Sequence, residues 1–172
     1  LAHQAAPESG RVLIGFVVGR ARTMRIAMIV ACLGLSGLSL VSVASGLQEP
    51  VIDVYKSPTC GCCVKWVAHL EQHGFTVRTM DVPDPSAVKS RVGVPGRLTS
   101  CHTALVDGYI VEGHVPATDV RRMLEKRPPI AGLTVPGMPV GSPGMEGPNP
   151  KPYDVLTFDL SGKITVFSSH RP

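Results

Sequence analysis

The chain has 172 residues, 44% of them hydrophobic, which is enough for one ordinary domain with a real core plus appendages. Its formal net charge of +4 is unevenly placed: Arg11, Arg20, Arg22 and Arg25 precede an apolar run, and from Leu47 onward 13 Lys and Arg face 12 Asp and Glu. That near-neutral remainder, with aromatic residues at 5%, offers no basic stripe or stacking platform and argues against nucleic acid as a partner.

The apolar run comes first in chain order. Met24-Arg25 followed by Ile26 through Val43 has the short positive and long apolar parts of a secretory signal. Ser42-Val43-Ala44 and Ala44-Ser45-Gly46 both offer the small residues that a signal peptidase reads. The expectation is a leader over 1–46, in which 1–23 lie upstream of a true start at Met24 and 24–46 are the signal peptide of a periplasmic protein. A stretch of about eighteen apolar residues also has the length of an uncleaved membrane anchor, the alternative reading. Cys32 lies inside this run, and Ile29-Val30-Ala31-Cys32 only faintly resembles a lipoprotein box.

The domain then covers 47–172. Val51 to Tyr55 reads as a buried strand, and Ser57-Pro58 as a turn leaving Thr59 near a helix N-cap. In the helix that follows, Cys63, Val67 and Leu70 share one face, while Cys62, Trp66, His69 and His73 form a second stripe. Gly74 is placed to stop it. Phe75 to Met80 alternates as a second strand. Asp84 caps a short helix with Pro85 at its first position, and Gly93-Val94-Pro95-Gly96 breaks it. Ser100 to Val106 is a third strand, joined through the hairpin signal Asp107-Gly108 to a fourth, Tyr109 to Val115. Thr118-Asp119 caps a last helix, Val120 to Lys126. The order β-α-β-α-β-β-α predicts an α/β, thioredoxin-like fold. Residues 130–152, dense in Pro and Gly and carrying Met138 and Met145, read as a long functional loop. A hairpin over 153–169, turning at Ser161-Gly162, closes the chain.

The chemistry gathers at Thr59-Cys60-Gly61-Cys62-Cys63. Cys60 and Cys63 have the C-x-x-C spacing that a strand delivers into the first turn of a thioredoxin-type helix. There the free N–H groups and the helix dipole favour a thiolate, so Cys60 is expected as an accessible thiolate. The plainer reading is a Cys60–Cys63 disulfide, which leaves Cys62 and Cys101 unexplained. In a thioredoxin-like fold the loop before the third strand faces the C-x-x-C. Here that loop carries Cys101-His102 and no proline immediately before Thr103. Four sulfurs and an imidazole would then share one small volume. The plainer alternative is a buried apolar Cys101 beside a hydrogen-bonded His102.

Such a set suggests a metal. Structural zinc generally draws two separated cysteine pairs to complete a tetrahedron, whereas Cu(I) accepts two or three soft ligands and lets thiolates bridge several ions. Iron–sulfur spacings are absent. Met138 and Met145 are further soft-donor candidates, with gap filling as the plainer role. His69 and His73, at i and i+4, could hold a metal from one helical face, with a solvated pair as the plainer reading; His114, after Glu112-Gly113, is placed to face the same end of the sheet as a minor candidate. No Ser/His/Asp set, phosphate loop or carboxylate pair stands out, so hydrolase and kinase readings lack support.

Four motifs in order carry a family resemblance: Lys56-Ser57-Pro58-Thr59-Cys60-Gly61-Cys62-Cys63, Ser100-Cys101-His102-Thr103-Ala104, Glu112-Gly113-His114-Val115-Pro116, and Val135 through Glu146. Together they resemble the CopG-type periplasmic copper-resistance proteins over roughly Pro50 to His170. The resemblance implies a thioredoxin-like fold, and Cu(I) held by Cys60, Cys62, Cys63 and Cys101. It also implies a role in copper tolerance that includes interconversion of copper oxidation states, with other periplasmic copper-handling proteins as partners. His102, Met138 and Met145 are the secondary ligand candidates. The rival functions are a thiol–disulfide oxidoreductase using Cys60 and Cys63, and a structural zinc or disulfide module.

Overall fold

The computed structural model describes residues 50–171, so the leader reading over 1–46, Cys32 included, lies outside the described residues. Alternating burial makes Ile52–Lys56 the first strand, β1, with Ile52 and Val54 fully buried. It feeds α1, Gly61–Gln72, which buries Cys63, Trp66, Val67 and Leu70. Trp66, on the second stripe, is fully buried in the core, with its Nε1 donating to the Val115 carbonyl at 2.8 Å. The N-cap is Cys60, with Thr59 immediately before it as expected. A turn closed by Cys60 N–H on the Ser57 carbonyl at 3.1 Å sets that position, and the Thr59 hydroxyl pairs with Ser57 Oγ at 3.2 Å. The helix ends at His73, and Gly74 follows at φ 87° as predicted.

β2, Val77–Asp81, pairs parallel with β1. α2, Pro85–Val92, starts as its sequence says: the Asp84 carboxylate accepts Ser86 N–H and Pro85 stands in the first turn. After a single 3-10 turn, Gly96–Leu98, come β3, Thr103–Val106, and β4, Tyr109–Gly113, an antiparallel hairpin around Asp107-Gly108. β3 begins three residues later than expected, since Ser100 N–H donates to the Glu112 side chain rather than to a strand.

α3, Ala117–Lys126, is not capped by Thr118-Asp119 as expected. Its N-cap is Pro116, and the Ala117 N–H finds His69 Nε2 of α1 at 3.1 Å. Asp119 is instead buried against Arg122, Ser168 and His170. His170 and Ser168 both reach Asp119 directly, and the Ser168 hydroxyl donates to that carboxylate at 2.9 Å. The one His170 Nε2 faces both Asp119 Oδ2 at 2.7 Å and Ser168 Oγ at 3.4 Å, so the three side chains tie the C-terminal strand to α3.

A second correction concerns 130–152. Gly132–Val135 is a strand, β5, parallel to β4 and buried at every residue. A strand covered on both faces carries no alternation, so its pattern is lost among the flanking Pro and Gly. The remaining loop is pinned by its own backbone bonds, among them Gly141 N–H to Met145 O at 2.9 Å and Lys151 N–H to Val140 O at 2.8 Å. The terminal hairpin, β6 (Tyr153–Phe158) and β7 (Ile164–His170), forms as predicted.

The result is one seven-stranded mixed sheet in the order β2-β1-β3-β4-β5-β6-β7. α1 and α3 cover one face, where Trp66, Leu70, Val120 and Met123 pack on Ile52, Val54, Val111 and Leu133. Each such side chain stabilises the fold by about 1.5–3 kcal/mol. The end of α2 and the 3-10 turn pack Val92, Val94 and Leu98 on the other face with Ile110 and Phe158. Among the described residues no helix is long and apolar enough to cross a membrane.

Candidate metal centre

Sheet order decides what meets what. β3 lies beside β1, with Tyr55 opposite Thr103, so the loop before β3 rises at the same sheet end as the N-terminus of α1. The sulfurs of Cys60, Cys62, Cys63 and Cys101 accordingly lie within 4.8 Å of one another. Cys62 Sγ is 3.5 Å from Cys60 Sγ and 3.9 Å from Cys101 Sγ. Cys60 and Cys63 are joined as a disulfide, and Cys62 and Cys101 are free thiols. In this oxidation state, then, the expected Cys60 thiolate is replaced by a bonded sulfur. Burial, followed by the charge and hydrogen bond of Cys62, pushes the Cys101 thiol up to about 12.

The histidines stand behind Cys101. His102 is fully buried, its Nδ1 3.3 Å from Cys101 Sγ and its ring 4.3 Å from that of Trp66. Its Nε2 has no hydrogen-bond partner, an orphan that a ligand would satisfy. His114 is equally buried, with Nε2 3.0 Å from Cys101 Sγ and Nδ1 2.7 Å from the Pro143 carbonyl. A carbonyl only accepts, so Nδ1 carries the proton and the neutral ring turns its Nε2 lone pair toward Cys101. Cys101, His102 and His114 thus form a second group with metal-ligand spacing, sharing Cys101 with the four sulfurs. Burial lowers the pKa of both rings. That of His102 falls well below the ordinary value, helped by nearby His114 and Lys89. A neutral imidazole is the form that ligates.

His114 is the site residue that sequence reasoning underweighted. The signal was available in the hairpin register. The two-residue turn pairs Val106 with Tyr109 and Thr103 with Glu112. Continued past the ladder, the same count sets His102 against Gly113, whose N–H donates to the His102 carbonyl at 3.1 Å, and Cys101 against His114.

The loop between β5 and β6 closes over this end. Gly144, at φ 82°, lies so close to α1 that a Cβ there would stand 2.7 Å from the Cys62 carbonyl and 2.9 Å from Trp66 N. Its neighbour Met145 is half-buried. Met138 follows Gly137, whose N–H donates to Thr99 O at 3.1 Å and whose carbonyl accepts the Ser100 hydroxyl; the Met138 side chain is largely exposed. His69 and His73 are otherwise engaged: His69 serves α3, and His73 Nδ1 meets the His69 carbonyl at 2.7 Å.

A family profile described as "Protein of unknown function, DUF411" matches residues 98–145, which contain Cys101, His102, His114 and the loop through Met145. No curated protein matches the chain. A solved structure described as "Copper resistance protein copG- Form 2" aligns at 47% identity with a TM-score of 0.68, over 72% of this chain and 99% of its own. The chain belongs to the CopG copper-resistance family. A second CopG structure, "Copper resistance protein copG- Form 1", aligns at 46% identity with the same TM-score over the same shares of both chains. The family resemblance read from the four motifs is thereby established. The CopG relatives align over nearly their whole length, well beyond the 48 residues that the profile covers.

Proposed function

We propose that this chain is a periplasmic copper-binding protein of thioredoxin-like fold that holds Cu(I) in copper resistance. The observation that carries the reading is the convergence of four cysteine sulfurs, Cys60, Cys62, Cys63 and Cys101, within 4.8 Å. The strand arrangement β2-β1-β3-β4, with β1 and β2 parallel and β3 antiparallel to both neighbours, supports the thioredoxin-like assignment. Soft thiolates crowded into one turn suit Cu(I) better than a single tetrahedral zinc. Reduction of the Cys60–Cys63 disulfide frees the full sulfur set. His114, its lone pair fixed toward Cys101 by the Pro143 carbonyl, and His102, with Nδ1 3.3 Å from Cys101 Sγ, add nitrogen donors. Met138 and Met145 stand in the covering loop as further soft donors. Export through the leader brings the chain to a compartment where other copper-handling proteins are its partners.

Anaerobic Cu(I) titration of the reduced protein with metal analysis tests this. Tight binding of more than one copper per chain, diminished by Cys62→Ser, is the expected result; less than one tightly held copper, or no loss on Cys62→Ser, rejects it.

A second reading draws on the Cys60–Cys63 disulfide itself: the pair is a two-electron couple, as in thiol–disulfide oxidoreductases. That reading requires turnover of a disulfide substrate that survives both Cys62→Ser and Cys101→Ser. Copper redox joins the two readings if two Cu(II) ions take one electron each as the two thiolates form the disulfide.

A further inference from the structure

Away from the sulfurs, the carboxylate of Glu112 is fully buried and held by three hydrogen bonds. Its Oε1 accepts Lys89 Nζ at 2.7 Å and Ser100 N–H at 2.6 Å, and its Oε2 accepts the Thr103 hydroxyl at 2.6 Å. Lys89 Nζ closes the net by donating to Thr103 Oγ1 at 3.0 Å. These partners come from three places: α2, the first residue of β3, and the loop between them. Thr103 stands directly opposite Glu112 in the hairpin ladder.

Ser100 immediately precedes Cys101, and Thr103 immediately follows His102. The carboxylate therefore grips the chain on both sides of the Cys101-His102 pair, in a stretch that lies outside the sheet ladder. A buried ion pair is a poor source of net stability, because two apolar side chains of like volume do as well. What apolar side chains lack is a directional hold on an N–H and an O–H.

We propose that Glu112 is a positioning residue for the metal centre, with Lys89 as its counter-charge. By clamping Ser100 N–H and the Thr103 hydroxyl it keeps Cys101 Sγ 3.9 Å from Cys62 Sγ and 3.0 Å from His114 Nε2. The inference rests on the copper reading only in treating Cys101 as a donor. The clamp itself is a statement about where Cys101 sits.

The experiment compares two variants built on Lys89→Met, so that no lone buried ammonium remains in either. Lys89→Met with Glu112→Gln keeps an amide acceptor for Ser100 N–H; Lys89→Met with Glu112→Ala does not. In the disulfide form of the full chain, iodoacetamide is applied at constant pH, and the rates at Cys101 and Cys62 are read separately by peptide mass spectrometry. In the Ala variant the Cys101 to Cys62 ratio is expected to rise about tenfold or more, and in the Gln variant to stay within about twofold of wild type. Cu(I) affinity falls by about tenfold in the Ala variant and is retained in the Gln variant. General loosening raises both rates together, and equal ratios in the two variants overturn the proposal. Should the Ala variant not fold, Thr103→Val alone removes one arm of the clamp, and an unchanged ratio there overturns the proposal equally. Wild-type protein that takes up no Cu(I) defeats the copper reading, while the alkylation ratio still decides the clamp.

Discussion

Cys101 is held between two imidazoles that differ in what else they touch. His102 presents one nitrogen to the sulfur and leaves the other orphaned, while His114 has both nitrogens committed, one to the Pro143 carbonyl and one to the sulfur. A ring whose far nitrogen is fixed on a backbone carbonyl is a ligand with its tautomer already chosen. His114→Leu should therefore lower Cu(I) affinity by about tenfold or more while the far-UV circular dichroism stays that of the wild type. Competition with a colorimetric Cu(I) chelator measures it, and an unchanged affinity removes His114 from the centre. Residue identity alone pointed to the cysteines and to His102. His114 drew less weight because its relevance lies in register, a property of the turn at Asp107-Gly108 and not of the histidine's own neighbours.

At the scale of elements, what the sequence shows well is local. The Asp84-Pro85 start of α2 and the Asp107-Gly108 turn are decided by residues a few positions apart, and both formed as predicted. What it hides is decided at a distance. The N-terminus of α3 is satisfied by His69 from another helix, and β5 reads as loop because both of its faces are buried. The loop between β5 and β6 belongs to the same class: its Pro-Gly composition suggests freedom, yet Gly144 is wedged against α1. Any side chain there meets the positive φ and two backbone atoms of α1 that cannot swing aside. Gly144→Ala should lower stability by about 2 kcal/mol through the displaced loop, and release the Pro143 carbonyl from His114. Urea denaturation together with the Cu(I) affinity assay checks it. A variant as stable as wild type, with undiminished copper binding, would show that the loop does not bear on the centre.

Across the whole molecule, burial has set its titrating groups against the solvent on both sides of neutrality. His69, His102 and His114 are all lowered from 6.5, chiefly by desolvation. The metal-free native chain keeps these rings neutral, and the unfolded chain takes up their protons as pH falls below 6.5. Their contribution is thus complete above that value and is lost on acidification, by about 1.4 kcal/mol per pH unit for each ring that stays neutral, and less for the half-buried His69. Cys101 acts from the other side: raised from 9.0 to about 12, its thiol keeps its proton in the native state. The unfolded thiol loses that proton above 9, so stability declines again as pH rises toward 12. Urea midpoints of the metal-free disulfide form should therefore be highest between about pH 6.5 and 9 and fall on either side. Glu146 and Asp159, both lowered from their ordinary values of 4.5 and 3.8, add a loss of the same sign only as pH nears those values, below the range in which the histidines act. Midpoints that stay level from pH 7.5 to 5 would mean that the rings behind Cys101 take up protons in the native chain as they do in the unfolded one, and would count against them as the neutral nitrogen donors of the proposed copper site.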